Sequence, residues 1–254
     1  MQPAAITRRA RAGLLLLAAA GLAAASAAHA QGAGSAPLPR AQATIDITGE
    51  WISIVTEDWK FRMVTPNAGV YAGIPLNAEG RRAADAWDPA RDEAAGDACR
   101  AYGAASIMRM PGRLRITWQD DATLRIDTQA GEQTRLLHFT ETVPDARTWQ
   151  GTSRAQWRPA AWRGQGEDAV GGSLEVATTH MRPGYLRKNG VPYSEDAVLT
   201  EHFNRLTAPN GDEWLVVTTI VDDPVYLNRP YVTSSHFKKL PNASAWSPAP
   251  CAAR

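Results

Sequence analysis

The 254-residue chain is short of cysteine, of net charge and of long apolar runs beyond its first 30 residues, and each shortage excludes something. Two cysteines are too few for a disulfide-dense miniprotein. Neither CxxC nor Cys–His spacing occurs, which argues against a zinc or dithiol redox motif. A formal net charge of +1 offers no basic surplus to a phosphate backbone, so no nucleic-acid partner is expected. Glycine-rich phosphate loops, dinucleotide fingerprints, the G-x-S-x-G elbow and the H-x-H and H-E-x-x-H ligand spacings are all missing. What is there, 44% hydrophobic and 21% charged residues, excludes a disordered chain and a collagen-like repeat.

The first segment reads as an address. Arg8, Arg9 and Arg11 precede an apolar run from Leu14 to Ala25, and Ala28-His29-Ala30 supplies a small-residue cleavage site. Residues 1–30 are therefore expected to be a signal peptide, and the protein to be periplasmic or secreted. Cleavage removes three arginines and no acid, leaving 24 basic and 26 acidic side chains. No later segment reaches transmembrane length. Residues 31–43 are small, polar and proline-containing, a flexible lead-in, and residues 44–254 read as a single domain. An oxidising compartment and an even cysteine count favour a Cys99–Cys251 bridge over two free thiols.

One helix stands out, opened by a capping Asn77 and ended or kinked at Asp88-Pro89. A short turn over 92–96 is weaker, and residues 57–76 read as irregular. From about residue 111 the period changes to two. Leu114, Ile116 and Trp118 alternate with Arg113, Arg115 and Thr117, and Leu124 and Ile126 alternate with Arg125 and Asp127. Further strands are predicted over 134–139, 148–157, 173–179, 197–206, 213–221 and 231–238, with 45–54 in front. Strands so closely spaced, each with one apolar face, imply an all-β protein built on an antiparallel sheet. Closing it into an up-and-down barrel removes the exposed edges, and a β-sandwich is the alternative.

Gly49-Glu50-Trp51 at the start of the first strand resembles the first motif of the lipocalins, where the Trp closes one end of a barrel. The wider pattern resembles a group of secreted bacterial β-rich proteins. It runs through Pro75-Leu76-Asn77-Ala78-Glu79-Gly80, Trp87-Asp88-Pro89, Cys99, Trp149-Gln150-Gly151-Thr152-Ser153, Gly190-Val191-Pro192-Tyr193-Ser194 and Asp222-Asp223-Pro224. The chain departs from that group by an insert over 159–170 and by Tyr193 where relatives often carry His. The resemblance implies a lipocalin-like barrel and export, and implies no reaction.

Four histidines follow the signal: His138, His180, His202 and His236. Their strand positions place His138 with Leu136, His180 with Leu174 and Val176, and His202 with Val198, all expected on inward faces. The densest polar stretch, residues 178–194, holds His180, Arg182, Tyr185, Tyr193 and Ser194 in a loop shaped by two prolines and two glycines. An arginine there can fork onto a carboxylate, and tyrosines can stack or donate hydrogen bonds. The expected site is thus His180, Arg182, Tyr185, Tyr193, His138 and His202, binding a small apolar or aromatic molecule without a cofactor. One alternative is an enzyme using His180 with Tyr185, Tyr193 or Arg182 for proton transfer. Another is an envelope interaction module with no small-molecule site. A copper site at His180 and Met181 is a minor variant, since neighbours on a strand diverge. Glu57-Asp58 and Asp222-Asp223 invite an acid–base or calcium reading, but the latter pair has the composition of a turn. The nine tryptophans suit core and rim packing.

Overall fold

The computed structural model describes residues 38–142, 146–160, 171–241 and 246–254. The segment expected to be a signal peptide, the first part of the expected lead-in and most of residues 159–170 lie outside the described residues. In chain order the elements are β1 (Gly49–Ile54), α1 (Trp59–Arg62), α2 (Ala78–Asp85), α3 (Pro89–Ala94), a 3₁₀ turn (Ala98–Tyr102) and α4 (Ala104–Ile107). Then follow β2 (Arg113–Asp120), β3 (Thr123–Thr128), β4 (Thr134–His138), β5 (Thr152–Pro159) and β6 (Gly172–Thr179). The chain ends with β7 (Gly184–Arg187), β8 (Val191–Tyr193), β9 (Val198–Thr207), β10 (Glu213–Asp222) and β11 (Tyr231–Lys239).

The expected barrel forms. Its order is β1-β11-β10-β9-β6-β5-β4-β3-β2, closed where β1 pairs with both β2 and β11. Closure leaves no free edge, so the sandwich alternative falls. One seam departs from up-and-down pairing: β4 and β5 run parallel, joined only at Leu137↔Ser153 and His138↔Arg154. The chain also leaves the wall between β6 and β9 to make a separate hairpin, β7–β8. In place of the one short helix expected, the described residues hold four, and Asp88-Pro89 divides two of them by stopping α2 and starting α3. The Asp88 carboxylate accepts from Ala90 N at 3.0 Å, and Pro89 sits in the first turn, where no N–H is needed.

Alternation fills the barrel. Trp51, Ile116, Leu124, Ile126, Leu137, Val176, Phe203, Leu215, Val217 and Phe237 are fully buried in one contiguous cluster, joined by Ile107 and Met108 from the helical segment. Trp51, the tryptophan of the Gly-x-Trp motif, donates its indole N–H to Ile47 O at 2.9 Å. Two inward positions carry charge instead. Arg135 on β4 and Glu201 on β9 meet inside the wall at 2.6 Å, with both side chains wholly buried. Consequently Leu136 and His138 face outward, and so do Val198 and His202, the reverse of the expected faces. A buried ion pair hides parity from a reading that equates polar with exposed.

At one end of the barrel Trp118, Phe139 and Trp157 stack with centroids 5.1–6.4 Å apart, and Trp157 Nε1 donates to Pro39 O. The other end is covered by the helices and β7–β8, packed around Tyr71, Leu76, Met181, Leu186, Val191, Tyr193 and Tyr231. A disulfide between Cys99 and Cys251 ties the 3₁₀ turn to the C-terminal tail. Among the described residues no helix is long and apolar enough to cross a membrane.

Candidate ligand-binding groove

The covering layer contains a groove of about 210 Å³ between α2–α3 and the β7–β8 hairpin, walled by Trp87, Arg91, Asp92, Arg100, Tyr185 and Tyr193. Its centre is Asp92, buried in the first turn of α3. Oδ1 accepts from Arg100 Nη1 at 2.8 Å, and Oδ2 accepts from Tyr185 Oη at 2.8 Å and from Trp87 Nε1 at 3.2 Å. Arg100 also lies over the Tyr185 ring, 5.0 Å from its centroid, and Trp87 meets Tyr185 edge to face at 6.3 Å. One carboxylate therefore fixes two aromatic rings and a guanidinium, the kind of shared anchoring that leaves a binding surface already ordered.

Two glycines make this approach fit. A Cβ at Gly184 would sit 2.5 Å from Arg100 O, and one at Gly190 would sit 2.2 Å from the Trp87 ring at a φ of +80°. Only glycine lets the hairpin press onto the 3₁₀ turn and the indole. The hairpin is tied down from the other side by Asp223. Its carboxylate accepts from Ser194 N at 2.6 Å, Ser194 Oγ at 2.8 Å and Val225 N at 2.9 Å. Asp222-Asp223-Pro224 is thus a turn, as its composition suggested, and Ser194 is engaged as a structural donor.

The tyrosines hold their protons. Burial first, then the bond to the Asp92 carboxylate, pushes the Tyr185 phenol well above its ordinary range, against the opposing pull of Arg100. Burial alone pushes Tyr193 the same way, again against Arg100, and its hydroxyl has no hydrogen-bond partner among the described residues. Arg100 is held above its usual value despite burial, because Asp92 bonds to it. Such phenols stay protonated at neutral pH and as neutral groups are poor bases.

Of the six residues singled out from the sequence, Tyr185 and Tyr193 meet in this groove and the others do not. His180 sits at the end of β6 with a left-handed φ of 56°, its Nδ1 2.9 Å from Thr179 Oγ1, and it lines none of the described clefts. Arg182 pairs with Asp97 at 3.0 Å and covers the Trp149 ring at 4.0 Å. His138 lines a different cleft of about 280 Å³ at the parallel seam, with Thr140, Glu141, Ser153 and Arg154. His202 is on the outer wall, 3.9 Å from Glu175. Among the described residues no three His, Cys, Asp or Glu side chains converge as a metal site. Trp87, Asp92 and Arg100 escaped sequence reading; the signal for Asp92 was the Asp88-Pro89 helix start, which places it one turn in. Comparison with protein-family models, with curated proteins and with solved structures finds no match to this chain.

Proposed function

We propose that the protein is an exported binding barrel that takes a small aromatic molecule in the Trp87–Asp92–Tyr185 groove, outside the barrel interior. The observation that carries this reading is Asp92 holding Arg100, Tyr185 and Trp87 at once beside an open space. The barrel interior is occupied by the contiguous apolar cluster around Trp51, Phe203 and Phe237. At about 210 Å³ the groove is smaller than the ~300–1,000 Å³ of drug-sized pockets, which suits one or two rings. Arg91 is exposed at its lip and makes no ion pair among the described residues, so a ring bearing an acidic substituent fits best. Export is supported by the basic, apolar and A-x-A pattern of residues 1–30 and by the disulfide, which persists in oxidising compartments. The lipocalin-like affiliation is supported by Gly49-Glu50-Trp51 at the start of β1 in a closed barrel.

The test is a titration with indole-3-carboxylate and benzoate, followed by chemical shifts of the Trp87 indole N–H. For about 10 non-hydrogen atoms at ~0.5 kcal/mol each, Kd is expected on the order of 0.2 mM. Saturation in the native protein and its weakening in Arg91→Ala, which keeps the Trp87 indole as reporter, support the reading. No shift at either ligand up to solubility overturns it. A second reading, an envelope interaction module, draws on Trp59, Met63 and Val64, which are exposed on and just after α1.

A further inference from the structure

A second cluster lies in the covering layer, away from the groove. Arg62 ends α1, Arg109 follows α4, and Arg187 ends β7, yet all three are more than nine-tenths buried. They gather around Tyr231, the first residue of β11. The Arg109 guanidinium is 5.9 Å from the centre of that ring, and the Tyr231 hydroxyl lies beside Arg187 without completing a hydrogen bond. Three buried guanidiniums in one place are costly unless anions offset them.

The chain supplies only part of the offset. Arg62 pairs with Glu57 and donates its Nε to Arg109 O at 2.9 Å. Arg109 Nη2 donates to Asp58 at 3.0 Å. Arg187 pairs with no carboxylate among the described residues; it donates to the carbonyls of Val70 at 3.5 Å and Ala72 at 3.1 Å and covers the Phe61 ring. Among the described residues three cations thus meet two carboxylate partners, and Lys188 at the edge adds another positive charge, its Nζ 3.0 Å from the Tyr102 hydroxyl. Arg62 Nη2, Arg109 Nη1 and Arg187 Nε are shut off from solvent and lack hydrogen-bond partners among the described residues. Burial, and then repulsion from Arg109, pulls both Arg62 and Arg187 below the usual guanidinium value. Beside them is a cleft of about 30 Å³ lined by Phe61, Thr65, Ser106 and the three arginines. That exceeds the ~10–15 Å³ one water needs and is far too small for an organic ligand.

We infer that Arg62, Arg109 and Arg187 form a binding site for one compact anion, of halide to tetrahedral-oxyanion size. The three unpaired N–H groups donate to it, and its charge completes the balance that Glu57 and Asp58 leave short. The site shares no lining residue with the aromatic groove, so either can fail alone.

The experiment is calorimetric titration of the purified protein with sodium chloride and with sodium phosphate, at constant ionic strength set by a bulky organic anion. Chloride-35 line broadening gives a second, direct readout on the native protein. Saturable binding of either anion is expected, weakened at least tenfold in Arg187→Gln. The chloride and phosphate arms distinguish a halide from an oxyanion site. Absence of saturable binding for both anions overturns the inference. So does binding that Arg187→Gln leaves unchanged. If Arg187→Gln does not fold, Arg187→Lys serves in its place, since it keeps the charge and loses the Nε donor.

Discussion

Removing one member of the Arg135–Glu201 pair should cost far more than removing both. Arg135 Nη1 and Nη2 donate to Glu201 Oε1 and Oε2 at 3.1 and 2.6 Å, and both side chains are at 0% exposure. The next polar groups, Thr178 at 3.4 Å from Nη2 and Ser153 bonded to Thr178 at 2.8 Å, are neutral and carry no charge to replace the carboxylate. Glu201→Gln therefore leaves a guanidinium in the barrel interior without a counter-ion. The expected cost is about 3–5 kcal/mol, a large part of the ~5–15 kcal/mol by which domains are stable. With a urea dependence of about 2 to 3 kcal/mol per molar, the unfolding midpoint should fall by roughly 1–2.5 M. The paired replacement Arg135→Met with Glu201→Leu removes both desolvation penalties and fills the same space, so its midpoint should return to the native value or exceed it. Urea unfolding followed by far-UV circular dichroism measures all three proteins. A Glu201→Gln loss below about 1 kcal/mol, or a double variant weaker than the single, would refute the view that desolvation governs this pair.

Four further outcomes follow from the covering layer. Reducing Cys99–Cys251, which are 152 residues apart, should lower stability by about 4–5 kcal/mol on the chain-entropy account, read as a urea midpoint with and without reductant. Tyr193→Phe removes a buried hydroxyl that has no partner among the described residues, so it should be neutral or stabilising in thermal melts, whereas Tyr185→Phe should cost about 1.5–3 kcal/mol by taking a donor from Asp92. Both phenols are raised in the folded state, so the unfolded chain loses their protons first. Stability is then intact below about pH 10 and declines as pH rises above it, more steeply than in Tyr193→Phe. Gly190→Ala should destabilise and move the Trp87 emission, because the methyl meets the indole at a φ that alanine rarely adopts.

How much of this was legible depends on which residues carry the pattern. Strands β2 and β3 announce themselves, since Leu114, Ile116, Leu124 and Ile126 are apolar, inward and spaced by two. β4 is legible as a strand but its face is not, because Leu136 and Leu137 are adjacent and the inward partner of Leu137 is a charged Arg135. The same inversion operates on β9 through Glu201, which is why His138 and His202 were assigned to the wrong face. The hairpin β7–β8 was read as a loop, since Pro183, Gly184, Gly190 and Pro192 mark turns as well as close packing. Tyr185 and Tyr193 share one dense polar stretch and line the same groove. Their partners Trp87, Asp92 and Arg100 lie some 90 residues earlier, and only the fold brings them together. The arginine cluster is further scattered, over α1, the end of α4 and β7.

The wall is sealed by its first and last strands, Trp51 facing Lys239, and the disulfide partner Cys251 lies beyond them in sequence. A nascent chain that stops short of β11 cannot complete the cylinder. Until β11 has been made, β1 has one neighbour missing, and ring closure waits for it. Such late, distant pairing makes for slow maturation.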